Sequence, residues 1–272
     1  MANHLVIPCY NESERLPSAR ILGFLNRNPE WTAIFVDDGS RDATLQTLGN
    51  LHASNPDQVV VLKLKQNSGK AEAVRAGMRF GLDVLGSERI GFADADLAAP
   101  LEEVLQLEQA MQRHPAAICA LGIRLQLLGH DIRRKKHRFF IGRTFSHLAS
   151  HVLGVPCRDT QCGMKLFQNN EALRQALQAP FTSRWVFDVE LIKRLLICHE
   201  SGHSAEELLW EQPLDFWEEI SGSKLKLRDF FVAALDLVRI AGQREIPPEP
   251  ADRNDPIVVA LAQPAEQLRR AA

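Results

Sequence analysis

Two carboxylates separated by one residue, Asp94 and Asp96, follow directly on the apolar run Arg89-Ile90-Gly91-Phe92-Ala93. On a chain leaving a strand, such a pair can converge on a divalent cation and a diphosphate. Hard cations such as Mg²⁺ take oxygen ligands, usually one or two carboxylates beside substrate phosphates. The same spacing occurs in exposed loops and helix caps, so both readings stand at this point. A second acidic segment, Asp37-Asp38-Gly39-Ser40, closes the β-rich run at residues 32–36. A carboxylate there can accept hydrogen bonds from the base or ribose of a nucleotide; a turn with a cap accounts equally well for Gly39 and Ser40. Pro8, Tyr10, Asn11 and Glu12 end the first apolar run, and Tyr10 is the only tyrosine in the chain. A ring and an acid at a strand end suit a planar base and its sugar. The plain alternative is a strand-to-helix turn capped by Asn11 or Ser13.

These residues need elements to carry them. Strand-like apolar runs at residues 5–7, 32–36, 58–64, 89–93 and 116–121 alternate with helical periodicity at about 14–26, 43–51, 71–85 and 101–113. Strands separated by helices imply βαβ units and a largely parallel sheet. Such sheets bind ligands at the carboxyl ends of their strands, where the acidic motifs sit. Ser40 and Asp42 can cap the second helix, and Pro100 suits the first turn of the fourth. Further helices are predicted at 133–151, which is basic, at 186–199 and at 225–240. From Glu245 the sequence turns proline-rich and charged (IPPEPADRNDP), which predicts a flexible extension over 245–272. The globular part is then 1–244, with a nucleotide half to about 122 and a second half over 123–244.

Composition narrows the classes. The net charge is −2 over 272 residues, which argues against a generic nucleic-acid binder. The five cysteines, Cys9, Cys119, Cys157, Cys162 and Cys198, are scattered and form no CxxC pair. Free thiols in a reducing compartment are expected, and a zinc site is not. The first residues, MANHLVIPCYNESE, show no basic-then-apolar leader pattern. No stretch approaches the roughly 20 apolar residues of a spanning helix. The expected location is cytoplasmic, with lipid, if any, met from the surface at the inner face of the membrane.

The segments occur in a fixed order: VIPCYNE, FVDDGSRDAT, QNSGKAEAVRAGM, FADADLAAP, GIRL, GRTF, DTQCGMKLF, RWVFDVELI and WEEISGSKLKL. In that order the chain resembles family 2 glycosyltransferases of the GT-A fold, a Rossmann-like α/β sheet flanked by helices. Within them it is most similar to the dolichyl-phosphate β-glucosyltransferase and polyprenyl-phosphate glycosyltransferase group, over residues 5–240. The resemblance implies that Pro8, Tyr10, Asn11, Glu12 and Asp37 hold the nucleotide with Lys70 near it. It implies that Asp94 and Asp96 hold Mg²⁺ or Mn²⁺ and the diphosphate, and that Arg124 and Arg143 meet the acceptor's phosphate. Relatives often place a polar metal contact where this chain has Ala98, and eukaryotic relatives carry an N-terminal membrane helix.

The implied reaction is inverting transfer of a hexose, glucose from UDP-glucose, to a polyprenyl phosphate. An alcohol acceptor needs a base to remove its proton. A monophosphate, with a second pKa near about 6, is already anionic and needs only positioning. Bidentate arginine suits that task. Asp188 and Glu190 mark the region from which an alcohol-directed relative draws its base; otherwise they are the polar face of an amphipathic helix. The run Arg133-Arg134-Lys135-Lys136-His137-Arg138 can attract an anionic membrane surface or form a solvated helix face. Two alternatives stay open: the same chemistry on a soluble or glycan hydroxyl, and a sugar-1-phosphate nucleotidyltransferase. The second is disfavoured because VIPCYNESERLP stands where those enzymes carry a glycine-rich basic loop.

Overall fold

A computed structural model describes residues 2–133, 136–199, 202–220, 227–249 and 256–260, with side chains except at 136–141 and 227–231. The chain divides into two compact units, residues 1–97 with 250–272, and residues 98–249. The division falls at residue 97/98, earlier than the expected boundary near 122.

The first unit runs β1 (Asn3–Cys9), α1 (Ser18–Arg27), β2 (Trp31–Asp37), α2 (Thr44–Ser54), β3 (Val59–Lys63), α3 (Lys70–Asp83) and β4 (Arg89–Phe92). The strands lie in the order β3-β2-β1-β4, all parallel. Their near-continuous apolar sequence is what a parallel strand buried on both faces requires, and residues 33–36 of β2 are at most 2% exposed. Cys9 pairs with Asp37 in register, and Ala93 continues β4 by donating to the Val6 carbonyl at 2.9 Å. Three motif segments therefore leave the sheet at one edge, the carboxyl edge. α3 lies close on the sheet because Gly77 has no side chain; a Cβ there would stand 2.5 Å from Val6 Cγ1.

α1 begins at Ser18, later than residue 14. Arg15 and Leu16 donate to the Glu12 carbonyl at 3.0 and 2.9 Å in a separate turn, and Pro17 then takes the N-cap position.

The second unit runs α4 (Glu103–Arg113), β5 (Cys119–Ile123), β6 (Asp131–Arg133), α5 (Lys136–Leu153), β7 (Lys165–Gln168), α6 (Glu171–Ala176), α7 (Phe187–Cys198), α8 (Ala205–Leu208), β8 (Leu209–Pro213), β9 (Phe216–Glu218) and α9 (Leu227–Ala241). β5 is central, antiparallel to β7 and parallel to β8. β6 pairs with β9, so Arg133 belongs to a strand and the basic helix starts after it. Of the basic run, residues 134 and 135 and the side chains of 136–138 lie outside the described residues, as do residues 221–226 of the last motif segment. Among the described residues, no helix is long and apolar enough to cross a membrane.

Most of the 245–272 extension is outside the described residues. Within it Ile257–Ala260 form β10, which adds to the first unit antiparallel to β3, so this part of the expected flexible tail is a strand.

The helical reading of Asp188 and Glu190 as a solvated polar face is corrected by α7. Asp188 is 5% exposed, and Glu190 and Arg194 are 0% exposed. Arg194 Nη2 donates to Glu190 at 2.6 Å, and its guanidinium also donates to the carbonyls of Ala176, Ala179 and Pro180. Glu190 accepts in turn from the backbone N–H groups of Thr182 and Ser183. These hydrogen bonds and the opposite charges offset the cost of burying the pair.

Candidate active site

In the first unit the loops after β1 and β2 are laced together. Asn11 stands at φ +54°, a left-handed conformation that asparagine tolerates better than most residues. Its N–H donates to Ser40 Oγ at 3.0 Å, and its side-chain oxygen accepts the Arg41 N–H at 2.9 Å. Glu12 N–H donates to Thr44 Oγ1 at 2.8 Å. Asp42 accepts from Ser13 on one oxygen and from Thr44 on the other. Ser40 thus ties the first loop instead of capping α2. Asp42 serves both the loop and the start of that helix.

The two aspartates after β2 divide their work. Asp38 accepts the Ser68 and Gly69 N–H groups at 2.7 and 2.8 Å, fixing residues 66–69 at the start of α3. Gly39 lets that loop come close: at φ +67°, a Cβ would stand 2.7 Å from Asn67 N. Asp37, 1% exposed, accepts the Ser40 N–H on Oδ1 at 3.1 Å. Its Oδ2 has no hydrogen-bond partner among the described residues. A buried carboxylate oxygen left in this state calls for a donor from elsewhere.

The loop held by Asp38 leads into Lys70, whose ammonium pairs with Asp94. Asp94 and Asp96 are part-exposed and flank the buried Ala95. The turn closes through Leu97, whose N–H donates to the Asp94 carbonyl at 3.1 Å at φ +48°. A buried leucine in the left-handed region costs on the order of 1–3 kcal/mol, a strain characteristic of functional turns. Glu12 is committed to Arg15, which donates to both of its oxygens at 3.0 and 2.5 Å. The Arg15 guanidinium is raised above its ordinary range by that pairing first, and further by the charge of Asp96. The motifs do not mark the roles of Arg15 or Asp38: Arg15 stands three residues from Glu12, a spacing that names a neighbour without naming a role, and Asp38 is matched only by N–H groups 30 and 31 positions away.

In the second unit Arg124 leaves β5 and enters a fork. Its Nε and Nη2 donate to the two oxygens of Asp159, each at 2.7 Å, and its guanidinium lies 5.1 Å from the Trp217 ring centre. Asp159 is itself fixed by its own N–H donating to Glu211. Arg143 lies on α5 and is exposed; no described contact joins it to Arg124. Asp188 pairs at 2.8 Å with Lys165, which is 0% exposed and also donates to the Cys162 carbonyl. The cysteines form no disulfide. Burial pushes the Cys157 thiol up to about 12 and the Cys162 thiol up to about 11, so neither is a nucleophile near neutral pH.

The glycosyl transferase family 2 pattern matches residues 4–173. The chain belongs to that family. This family 2 chain is therefore a glycosyltransferase, and its fold is the GT-A fold expected from its motifs. It is 35% identical over 250 residues to a dolichyl-phosphate beta-glucosyltransferase of Trichomonas vaginalis, covering 87% of this chain and 69% of that one. It is 34% identical over 235 residues to the human dolichyl-phosphate beta-glucosyltransferase, covering 81% of this chain and 68% of the relative. Among solved structures, it is similar to the glucosyl-3-phosphoglycerate synthase of Mycobacterium tuberculosis in complex with Mn²⁺, UDP and glucosyl-3-phosphoglycerate. There the TM-score is 0.59 at 16% identity, over 90% of this chain and 81% of that one. The family 2 match starts at residue 4 and takes in every expected site residue up to Arg143, and Asp188 lies beyond it.

Proposed function

We propose that this enzyme transfers glucose from UDP-glucose, with inversion, to a dolichyl or polyprenyl phosphate. One observation carries the reading: identities of 31–35% over 81–87% of the chain to proteins that bear the dolichyl-phosphate beta-glucosyltransferase name. The acceptor assignment is supported by Asp188. Its ion pair with buried Lys165 withdraws it from the role of base, which a phosphate acceptor does not need.

Pro8, Tyr10, Asn11, Glu12 and Asp37 form the nucleoside side, with Lys70 beside the diphosphate. Asp94 and Asp96 fit Mg²⁺ or Mn²⁺ in their chemistry. Two part-exposed carboxylates on one turn leave further coordination to diphosphate and water, as a hard cation prefers. When bound, the metal supplies Lewis-acid stabilisation of the leaving diphosphate. Lys70 adds a second positive charge to that side, already placed against Asp94 before any substrate arrives. Arg124, preset by Asp159, and Arg143 meet the acceptor phosphate. The acceptor is met at the inner face of the membrane, to whose anionic headgroups the basic sequence of residues 133–138 is complementary in charge.

Asp37→Ala is expected to weaken UDP and UDP-glucose equally. A hydrogen bond to a charged group is worth about 1.5–3 kcal/mol, or roughly tenfold to a hundredfold in affinity. Titration calorimetry checks this, and an unchanged UDP affinity returns Asp37 to a turn role. The function itself is tested by a panel of nucleotide sugars with a short polyprenyl phosphate, products weighed by mass spectrometry. A glucosyl-phosphoprenol product from UDP-glucose is expected. An inert polyprenyl phosphate together with an active alcohol acceptor, lost in Asp188→Asn, overturns the assignment.

A further inference from the structure

α9 has two faces of different chemistry. Ala233, Asp236, Leu237 and Ile240 are buried where the helix packs on α5 and α7. The opposite face carries Val232, Leu235 and Val238, exposed to 43%, 61% and 72%. Steps of three keep these side chains along one stripe of the helix. The inner face is anchored by Asp236, which accepts from Ser183 Oγ at 2.8 Å. That same hydroxyl accepts the N–H groups of Trp185 and Val186 at 3.2 and 3.0 Å. Trp185 is thereby presented two residues from the tie to α9, and it is 43% exposed.

Charge decides what covers this face. Among the described side chains, the exposed titratable ones on the same elements are Arg143, His147 and His151 on α5, Arg184 beside Trp185, and Arg239 on α9. α5 contains no Asp or Glu. Asp236 is buried and paired with Arg239, and the Asp229 side chain lies outside those described. Aliphatic side chains, an amphipathic indole and cations, with no exposed acid among the described side chains of these elements, match a bilayer interface. There apolar groups enter the acyl boundary, tryptophan sits at headgroup level and cations meet lipid phosphates.

We propose that the outer face of α9, with Trp185, docks on the surface of an anionic lipid bilayer. The helix lies on the bilayer without spanning it. The proposal deepens the lipid-phosphate reading by naming a surface distinct from the Arg133 to Arg138 run. It is tested without donor or acceptor, so the two stand or fall separately.

The probe is sedimentation with vesicles of phosphatidylcholine and phosphatidylglycerol, against vesicles of phosphatidylcholine alone. The protein is expected to partition to the anionic vesicles with a blue shift in tryptophan emission that Trp185→Phe removes. Leu235→Glu combined with Val238→Glu should lower partitioning by more than about tenfold and leave the urea midpoint unchanged. Unchanged vesicle binding in the double variant overturns the proposal. So does a concentration-dependent dimer that the double variant dissolves while vesicles bind neither protein; that result makes the face a self-interface. A protein that binds vesicles through α9 yet transfers nothing to polyprenyl phosphate sinks the earlier reading and leaves this one standing.

Discussion

Asp96→Ala is expected to lower kcat by about a thousandfold or more while leaving thermal unfolding unchanged. Negative charge builds on the departing diphosphate in the transition state, and removing one preorganised stabiliser of such charge typically costs 10²–10³ in rate. Here the loss is larger because the carboxylate is proposed to hold a cation, not a single hydrogen bond. Asp96 is part-exposed and sits outside the packed core, so its truncation removes no core volume. Chelation of the wild-type enzyme should produce the same loss, restored by added Mg²⁺ or Mn²⁺. Mass-detected product formation and a thermal melt on the same samples decide it. Full activity in excess chelator removes the metal role from Asp94 and Asp96.

The second large effect is on stability. Glu190→Ala should destabilise the fold by about 3–5 kcal/mol, the usual result of breaking one partner of a buried ion pair. Arg194 would keep its bonds to the carbonyls of Ala176, Ala179 and Pro180 but lose its counter-charge. The N–H groups of Thr182 and Ser183 would lose their acceptor as well. Urea denaturation should show a lower midpoint. The double change Glu190→Leu with Arg194→Met should cost clearly less than Glu190→Ala, because replacing both charges leaves neither stranded. Equal losses in the two proteins would show that packing around residues 176–183, not charge, governs this site.

The carboxyl edge of the first unit was legible because its signals are local. Apolar runs of strand length end directly in acidic or aromatic motifs, and register pairing of Cys9 with Asp37 then brings the loops together. What the motifs concealed depends on partners distant in sequence. Asp38 looks equivalent to Asp37 until its acceptors are matched with N–H groups 30 and 31 positions away. Nothing near Arg124 in the sequence announces that Asp159, 35 positions on, accepts from its Nε and Nη2 and so fixes its orientation. Asp188 reads as surface because helical period marks which residues share a side, not what lies opposite; Lys165 is 23 positions away. The start of α1 was misplaced for a simpler reason. The Glu12 carbonyl closes a turn of its own, and Pro17 resets the chain before the helix begins.

β10 bears on how the protein behaves at high concentration. The strand it covers, β3, reads Val-Val-Val-Leu-Lys, β-branched and free of proline, the composition that recruits a strand from another molecule when its edge is open. Four residues near the far end of the sequence occupy that edge from within the same chain, so the pairing is not diluted as protein concentration falls. The register shift between Val258 and Ala260 then breaks the ladder on the covering strand, which makes it a poor template in its turn. A shortened chain ending before Ile257 would keep every residue assigned to chemistry here and lose its protection against fibre formation.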